Sequence, residues 1–301
     1  MKKGIFENNS AGLNLSLLIT MILIGLFIYF VMFFIVSIPK IFFGDTTESV
    51  VETSFYFSQV FSFFSSLFIF LFPAIVTAYL CSKQPRDFLF IHKITDVRII
   101  ILTIIIVFSV MPVIELTAHF NSKMHFPEFM APIESFMRNA EDQAKNFILG
   151  MMSEKGAMRL IVNLIVIAVM AGIAEEFLFR GTLLSIIRRK IKNPHVAIWI
   201  VAAIFSAVHI QFYGFVPRLL LGALMGYLLY WSGSIWTPII AHFINNAFGV
   251  ISMYSVDSAE LYELIEPEIA PENMPTALLF AAGGLILFVL CVITMKRIRV
   301  R

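Results

Sequence analysis

The sequence predicts an all-α membrane protein, a polytopic bundle of about eight transmembrane helices with both termini cytoplasmic. Three observations carry that prediction. First, 59% of the 301 residues are hydrophobic and 14% are charged, against about 45–50% and about 25% in ordinary soluble domains. Second, eight apolar runs approach the roughly 20 residues that cross a bilayer. Third, basic and acidic loops alternate between these runs. A soluble chain of this size has no interior large enough for so much apolar surface. The mean hydropathy of +0.88 agrees, and a net charge of +2 leaves no footprint for a nucleic-acid partner.

The runs are Leu15–Ser37, Tyr56–Cys81, Ile99–Ala118, Leu160–Ile187, His195–Gln211, Phe215–Trp231, Ile235–Tyr254 and Thr276–Met295. The first is too long for a cleavable signal peptide and lacks the small-residue cleavage site. Lys2 and Lys3 precede it. Lys83, Arg86, Lys93 and Arg98 follow the second run, Arg188, Arg189, Lys190 and Lys192 follow the fourth, and Lys296, Arg297, Arg299 and Arg301 follow the last. The first intervening loop holds Asp45, Glu48 and Glu52 against Lys40. The last holds Asp257, Glu260, Glu263, Glu266, Glu268 and Glu272 and no base. With eight crossings every basic cluster falls on one side, which the charge bias of cytoplasmic loops makes the cytoplasmic one. The segment from His119 to Arg159 is either a plain connector or, through its apolar period from Ile133 to Met152, an amphipathic helix at the outer interface. Cys81 and Cys291 lie in apolar runs and read as small hydrophobes. The chain reads as one membrane domain, 1–301.

Ionisable groups inside spans are costly and usually functional. Span four contains Glu175, Glu176 and Arg180. Glu176 and Arg180 share a helix face and are expected to pair. Glu175 is rotated about 100° away and has no local cation, a setting that suits a general base or acid. His209 belongs to span five. His242 and Asn246 share a face of span seven, with Asn245 turned elsewhere. Counting helical rise from the basic edge puts Glu175 and His209 at roughly 20 Å depth and His242 at roughly 10 Å; tilt or a shifted boundary absorbs the difference. Glu115 and Arg218, near outer ends, have the reach to snorkel to the interface. Gly222 and Gly226 form a GxxxG spacing read as helix packing.

Glu175-Glu176-x-x-x-Arg180, Phe205-x-x-x-His209 and His242-x-x-x-Asn246, in that order, resemble the CPBP family of intramembrane proteases. That family includes type II CAAX prenyl endopeptidases and proteins of bacteriocin processing and self-immunity. The resemblance covers a core at 157–250, where Gly226, Trp236 and Pro238 also have the family's look. It implies hydrolysis of a peptide bond in a membrane-associated peptide or protein substrate, at a bacterial cytoplasmic membrane, by a multi-pass protein embedded in the lipid bilayer. By that resemblance Glu175 and His209 activate the water, His242 and Asn246 hold the oxyanion, and Glu176 and Arg180 orient the first group. Glu175, His209 and His242 are also the candidate ligands if zinc is bound. The H-E-x-x-H helix of soluble zinc proteases is missing, and a metal-independent site is preferred. Two other readings stay open: a non-catalytic membrane protein that binds a peptide or confers immunity, and a proton-coupled transporter, for which the sequence shows no repeated halves.

Overall fold

A computed structural model describes residues 3–43, 50–91, 96–152, 155–256 and 268–300, with side chains at 39–43, 50–56 and 299–300 left aside. The loop acids Asp45, Glu48, Asp257, Glu260, Glu263 and Glu266 lie outside the described residues, as do Lys2, His92, Lys93 and Arg301 and the side chains of Lys40, Glu52 and Arg299.

The described residues are helical with no strand. Helix α1 is Ala11–Phe43 and α2 runs over 50–81, with a π-helical turn at Ser66–Leu71. The short α3 is Pro85–Phe88, α4 is Val97–Ser122 and α5 is Ala131–Met152. Helix α6 is Ala157–Lys190 and carries two π-helical segments, Leu164–Met170 and Phe177–Leu183. Helices α7 to α10 are Pro194–Ala207, Phe215–Ser232, Trp236–Ser255 and Met274–Val300. Their ends follow local chemistry. Asp96 accepts from the Arg98 N–H to cap α4, and Asn193 accepts from the His195 N–H ahead of Pro194. Gly233 takes the left-handed conformation that closes α8 (φ 72°).

Contacts at the helix ends divide the molecule into two faces. On one, the Gly4 N–H donates to the Tyr79 carbonyl (2.9 Å), and Arg189 donates to the carbonyls of Glu7 (3.1 Å) and Cys81 (3.0 Å). There too His195 meets the Tyr227 hydroxyl (3.0 Å) and Lys296 lies over the Trp231 ring (5.7 Å). On the other, Asn121 donates to the Phe212 carbonyl (3.1 Å) and accepts from the Val216 N–H (2.7 Å). Lys155 donates there to the Met253, Tyr254 and Val256 carbonyls, and the Ile269 N–H donates to His119. Helices α1, α2, α4, α6, α8 and α10 each run from one face to the other, whereas α7 stops short of the second face and α9 starts inset from the first. Lys3, Lys83, Arg189 and Lys296, one from each basic cluster, stand on the first face.

Among the described residues, six helices are long and apolar enough to cross a membrane. Of the eight expected spans, two fall short by that measure. Helix α7 has 14 residues, roughly 21 Å of rise, and ends before His209. Helix α9 has the length, but His242, Asn245 and Asn246 dilute its apolar character. The shortfall thus falls on the helix that leads into His209 and on the helix that carries His242, Asn245 and Asn246. The expected depth mismatch also disappears. Helix α9 starts within the bundle, because the Ile235 N–H donates to the Phe90 carbonyl and Leu89, beside Phe90, packs against Gly181. Gly181 is seven residues before Arg188, or roughly 10 Å of rise. His242 therefore starts from an inset edge and reaches the level of Glu175.

The connector after α4 is a helix. Its Glu134 accepts from Arg138 (2.7 Å), from the Phe126 N–H (3.1 Å) and from the Tyr213 hydroxyl (3.3 Å), and Arg138 lies over the Tyr213 ring (4.4 Å). Helix α5 thereby rests on the short 3-10 turn Phe212–Gly214 that follows His209.

Candidate active site

The centre of the site is a dry polar knot within α6. Glu176 and Arg180 are both fully buried. Arg180 donates from Nη1 to Glu176 Oε1 (2.9 Å) and from Nη2 to the Gly222 carbonyl (2.9 Å), and its guanidinium lies 4.5 Å from the Phe205 ring centroid. One side chain so joins α6, α7 and α8. The expected pair is present, and the π-helical segment that starts at Phe177 buries every residue through Leu183. Widened turns of this kind recur at functional sites. An isolated buried charge is expensive, so a pair at this depth needs both members and their extra hydrogen bonds.

Glu176 Oε1 also accepts from His242 Nδ1 (2.8 Å). That contact puts a proton on Nδ1 and turns the other ring nitrogen, Nε2, to 3.8 Å from Glu175 Oε2. The approach of α9 to α6 requires a small residue at 172. A Cβ on Gly172 would already stand 3.5 Å from the Phe243 nitrogen and 3.7 Å from His242 Cβ. Adjacent glutamates are thus split between two environments: Glu176 is sealed, and Glu175 keeps 16% side-chain exposure.

His209 lies in the turn after α7, not in the helix. Its Nδ1 donates to the Phe205 carbonyl (2.7 Å) and its ring packs edge-on to Phe205 (5.0 Å). This bond fixes the tautomer and leaves Nε2 as the basic nitrogen. The next residue, Ile210, has φ 55°, a left-handed conformation that a β-branched residue rarely adopts. It reverses the chain immediately after the histidine.

Asn246 comes to the same place with its amide partly committed. Its Nδ2 donates to the Ile167 carbonyl (2.9 Å), inside the first π-helical segment of α6, and its Oδ1 accepts from Asn245 Nδ2 (3.2 Å). One Nδ2 hydrogen remains for another acceptor.

A pocket of about 170 Å³ brings these groups together. Glu175, His209, His242 and Asn246 line it, with Phe205, Leu221 and Met225 as apolar walls. Glu176 and Arg180 stand behind it as support. The pocket also contains two residues that sequence reasoning did not place there, Asn245 and Arg218. Asn245 had a weak signal, its adjacency to Asn246. Arg218 signalled only as a charge within a span, and it turns inward instead of snorkelling. Glu115 lines a different groove, with Glu268 and Asn273. Gly222 and Gly226 serve packing as expected: a Cβ at Gly226 would meet Ile198 at 2.7 Å, and one at Gly222 would meet Phe205 at 3.1 Å.

Among the described residues no three His, Cys, Asp or Glu side chains are grouped to hold a metal ion. Glu175, His209 and His242 share the pocket without forming such a ligand set, and His242 Nδ1 is already engaged by Glu176.

Residues 157–248 match the family model of the Type II CAAX prenyl endopeptidase Rce1-like proteins. The chain is also 30% identical over 93 residues to the uncharacterized protein YpbD of Bacillus subtilis (strain 168); the match covers 30% of this chain and 44% of that protein. No solved structure matches. The family match begins at the start of α6 and ends within α9, so it takes in every residue of the pocket, and it supports the resemblance drawn from the three motifs: this chain carries an Rce1-like segment over residues 157–248.

Proposed function

We propose that this chain is an intramembrane endopeptidase that hydrolyses a peptide bond of a membrane-associated substrate. One observation carries the reading. A carboxylate, a histidine with its basic nitrogen unengaged and two further polar side chains, drawn from three separate parts of the chain, line one small pocket inside a bundle of apolar helices. The family match over the same residues supports it.

The chemistry uses protein groups alone. Glu175, with His209 Nε2 beside it, takes a proton from a water held in the pocket. The water oxygen bonds to the scissile carbonyl carbon, and the carbonyl oxygen gains the negative charge. The remaining Nδ2 hydrogen of Asn246, and His242 as an imidazolium that donates from Nε2 while its Nδ1 stays on Glu176, are the donors that receive that charge, which is worth most in a site walled by Phe205, Leu221 and Met225. The tetrahedral centre collapses, the C–N bond breaks, and the proton held at Glu175 passes to the leaving nitrogen. Arg180 and Glu176 hold His242 at the correct angle throughout. The clustering of Lys3, Lys83, Arg189 and Lys296 on one face supports a cytoplasmic placement of that face in a cell membrane.

The test is cleavage of membrane-anchored peptides by purified protein, wild type beside Glu175→Gln and His209→Ala, with and without chelator and with metal analysis of the same samples. Chelator-resistant cleavage that disappears in both variants supports this mechanism. Cleavage abolished by chelator and restored by zinc replaces it with a metal-dependent one. Cleavage unchanged in Glu175→Gln overturns it.

A further inference from the structure

Arg218 occupies the first turn of α8 and lines the pocket with Glu175. Its guanidinium is built in, not draped. Nη2 donates to Gln211 Oε1 (2.7 Å), and Nη1 reaches the Gln211 carbonyl (3.4 Å). Gly214 gives it room: a Cβ there would stand 2.9 Å from Nη2. The two acceptors it holds are neutral. The nearby negative charges are Glu175 within the pocket and Glu141 on α5. Neither makes an ion pair with Arg218, and Glu141 accepts the Tyr213 N–H instead. Two of five guanidinium hydrogens are thus spent on Gln211. The rest belong to a permanent cation in a partly buried wall of the pocket, with no carboxylate of the described residues in pairing contact.

A guanidinium in that state is complementary to a planar anion that takes two parallel hydrogen bonds. A peptide offers one such group, a carboxylate. We propose that Arg218 is a specificity residue that pairs with a carboxylate of the bound substrate. Two sources share this chemistry, the free C-terminus of the peptide and an Asp or Glu side chain. The inference rests on the peptidase reading for the identity of the pocket's occupant.

The test uses short peptides with an N-terminal acyl anchor in three forms: a free C-terminus with no Asp or Glu, an amidated C-terminus with Asp and Glu, and an amidated C-terminus with neither. Binding is measured on full-length Glu175→Gln protein in nanodiscs, and cleavage on protein with Glu175 intact, each with Arg218 kept and with Arg218→Gln, Arg218→Lys and Arg218→Glu. A carboxylate form is expected to bind roughly tenfold or more tightly than the neutral form, and which form does so identifies the source. Arg218→Gln should bring that ratio close to one, Arg218→Lys should restore part of it, and Arg218→Glu should invert it, so that the neutral form binds best. A purely structural role through Gln211 would weaken all three forms by the same factor, and that result overturns the proposal. So does equal binding of the three forms when Arg218 is present. Discrimination that depends on Arg218, without cleavage of any form when Glu175 is intact, upholds the carboxylate subsite and defeats the peptidase reading.

Discussion

Two Glu-x-x-x-Arg pairs of the same spacing occur in neighbouring helices. Glu134 and Arg138 pair at 2.7 Å on α5, with side-chain exposures of 17% and 41%. Glu176 and Arg180 pair at 2.9 Å on α6, with both at 0%. Geometry is nearly identical and consequence is not. The outer pair fastens an amphipathic helix to the turn after His209 and remains within reach of water. The inner pair sits where water cannot replace a lost partner, and it also orients His242. Spacing selects the partner; surroundings set what the partnership is worth.

Four measurements break or sharpen that contrast. The largest effect is expected beside the inner pair. Glu175→Gln should lower cleavage by about 10²–10⁴-fold, the range of a lost acid–base group, while thermal unfolding in detergent changes little, because Glu175 is outside the knot. A comparable loss of stability would merge the two glutamates into one structural unit and remove their division of labour. Next, Arg180→Ala should destabilise by about 3–5 kcal/mol, the usual cost of orphaning one member of a buried pair. Arg138→Ala should give a far smaller change in the same unfolding assay. Equal losses would show that burial is not what separates the pairs. Third, Gly226→Val should cost about 1–3 kcal/mol by overpacking against Ile198, detectable as a lowered unfolding midpoint. An unchanged midpoint would mean that α7 and α8 separate without penalty, and the knot would not depend on their close approach.

The smallest effect is a pH window for the outer pair. Hydrogen bonding from Arg138, then the Phe126 N–H, holds the Glu134 carboxyl at about 2, against an ordinary 4.5. A depressed folded value means that its stabilisation is complete above the unfolded value and is lost as pH falls towards about 2. The difference in unfolding midpoint between wild type and Glu134→Gln should shrink across that interval and stay level above it. A difference that grows on acidification would contradict the sign.

Much of this site was legible in the residues because helical spacing is a local property. Glu176 with Arg180 and His242 with Asn246 were assigned to shared faces from 3.6-residue periodicity, and the structure has them so. The GxxxG at Gly222 and Gly226 was read as packing, and packing it is. Arg218 was not legible: a long side chain near a span end reaches either the interface or the interior, and Gln211 and Gly214, through contacts that only the folded turn creates, draw it inward. The commitment of Asn246 to Ile167 was equally hidden, since it joins groups 79 residues apart.

What the sequence determined by itself was the solvent and the spacing. Composition and apolar run length made this a helical membrane protein, because the bilayer leaves backbone polar groups no other partner, and periodicity set which polar residues share a face. Only the tertiary structure decided depth and company. Helix α9 begins inset beside Phe90, which lifts His242 to the level of Glu175, and α7 stops short so that His209 occupies a turn. Those outcomes depend on where one helix end rests against another, and that is settled by packing between distant segments rather than by any local propensity.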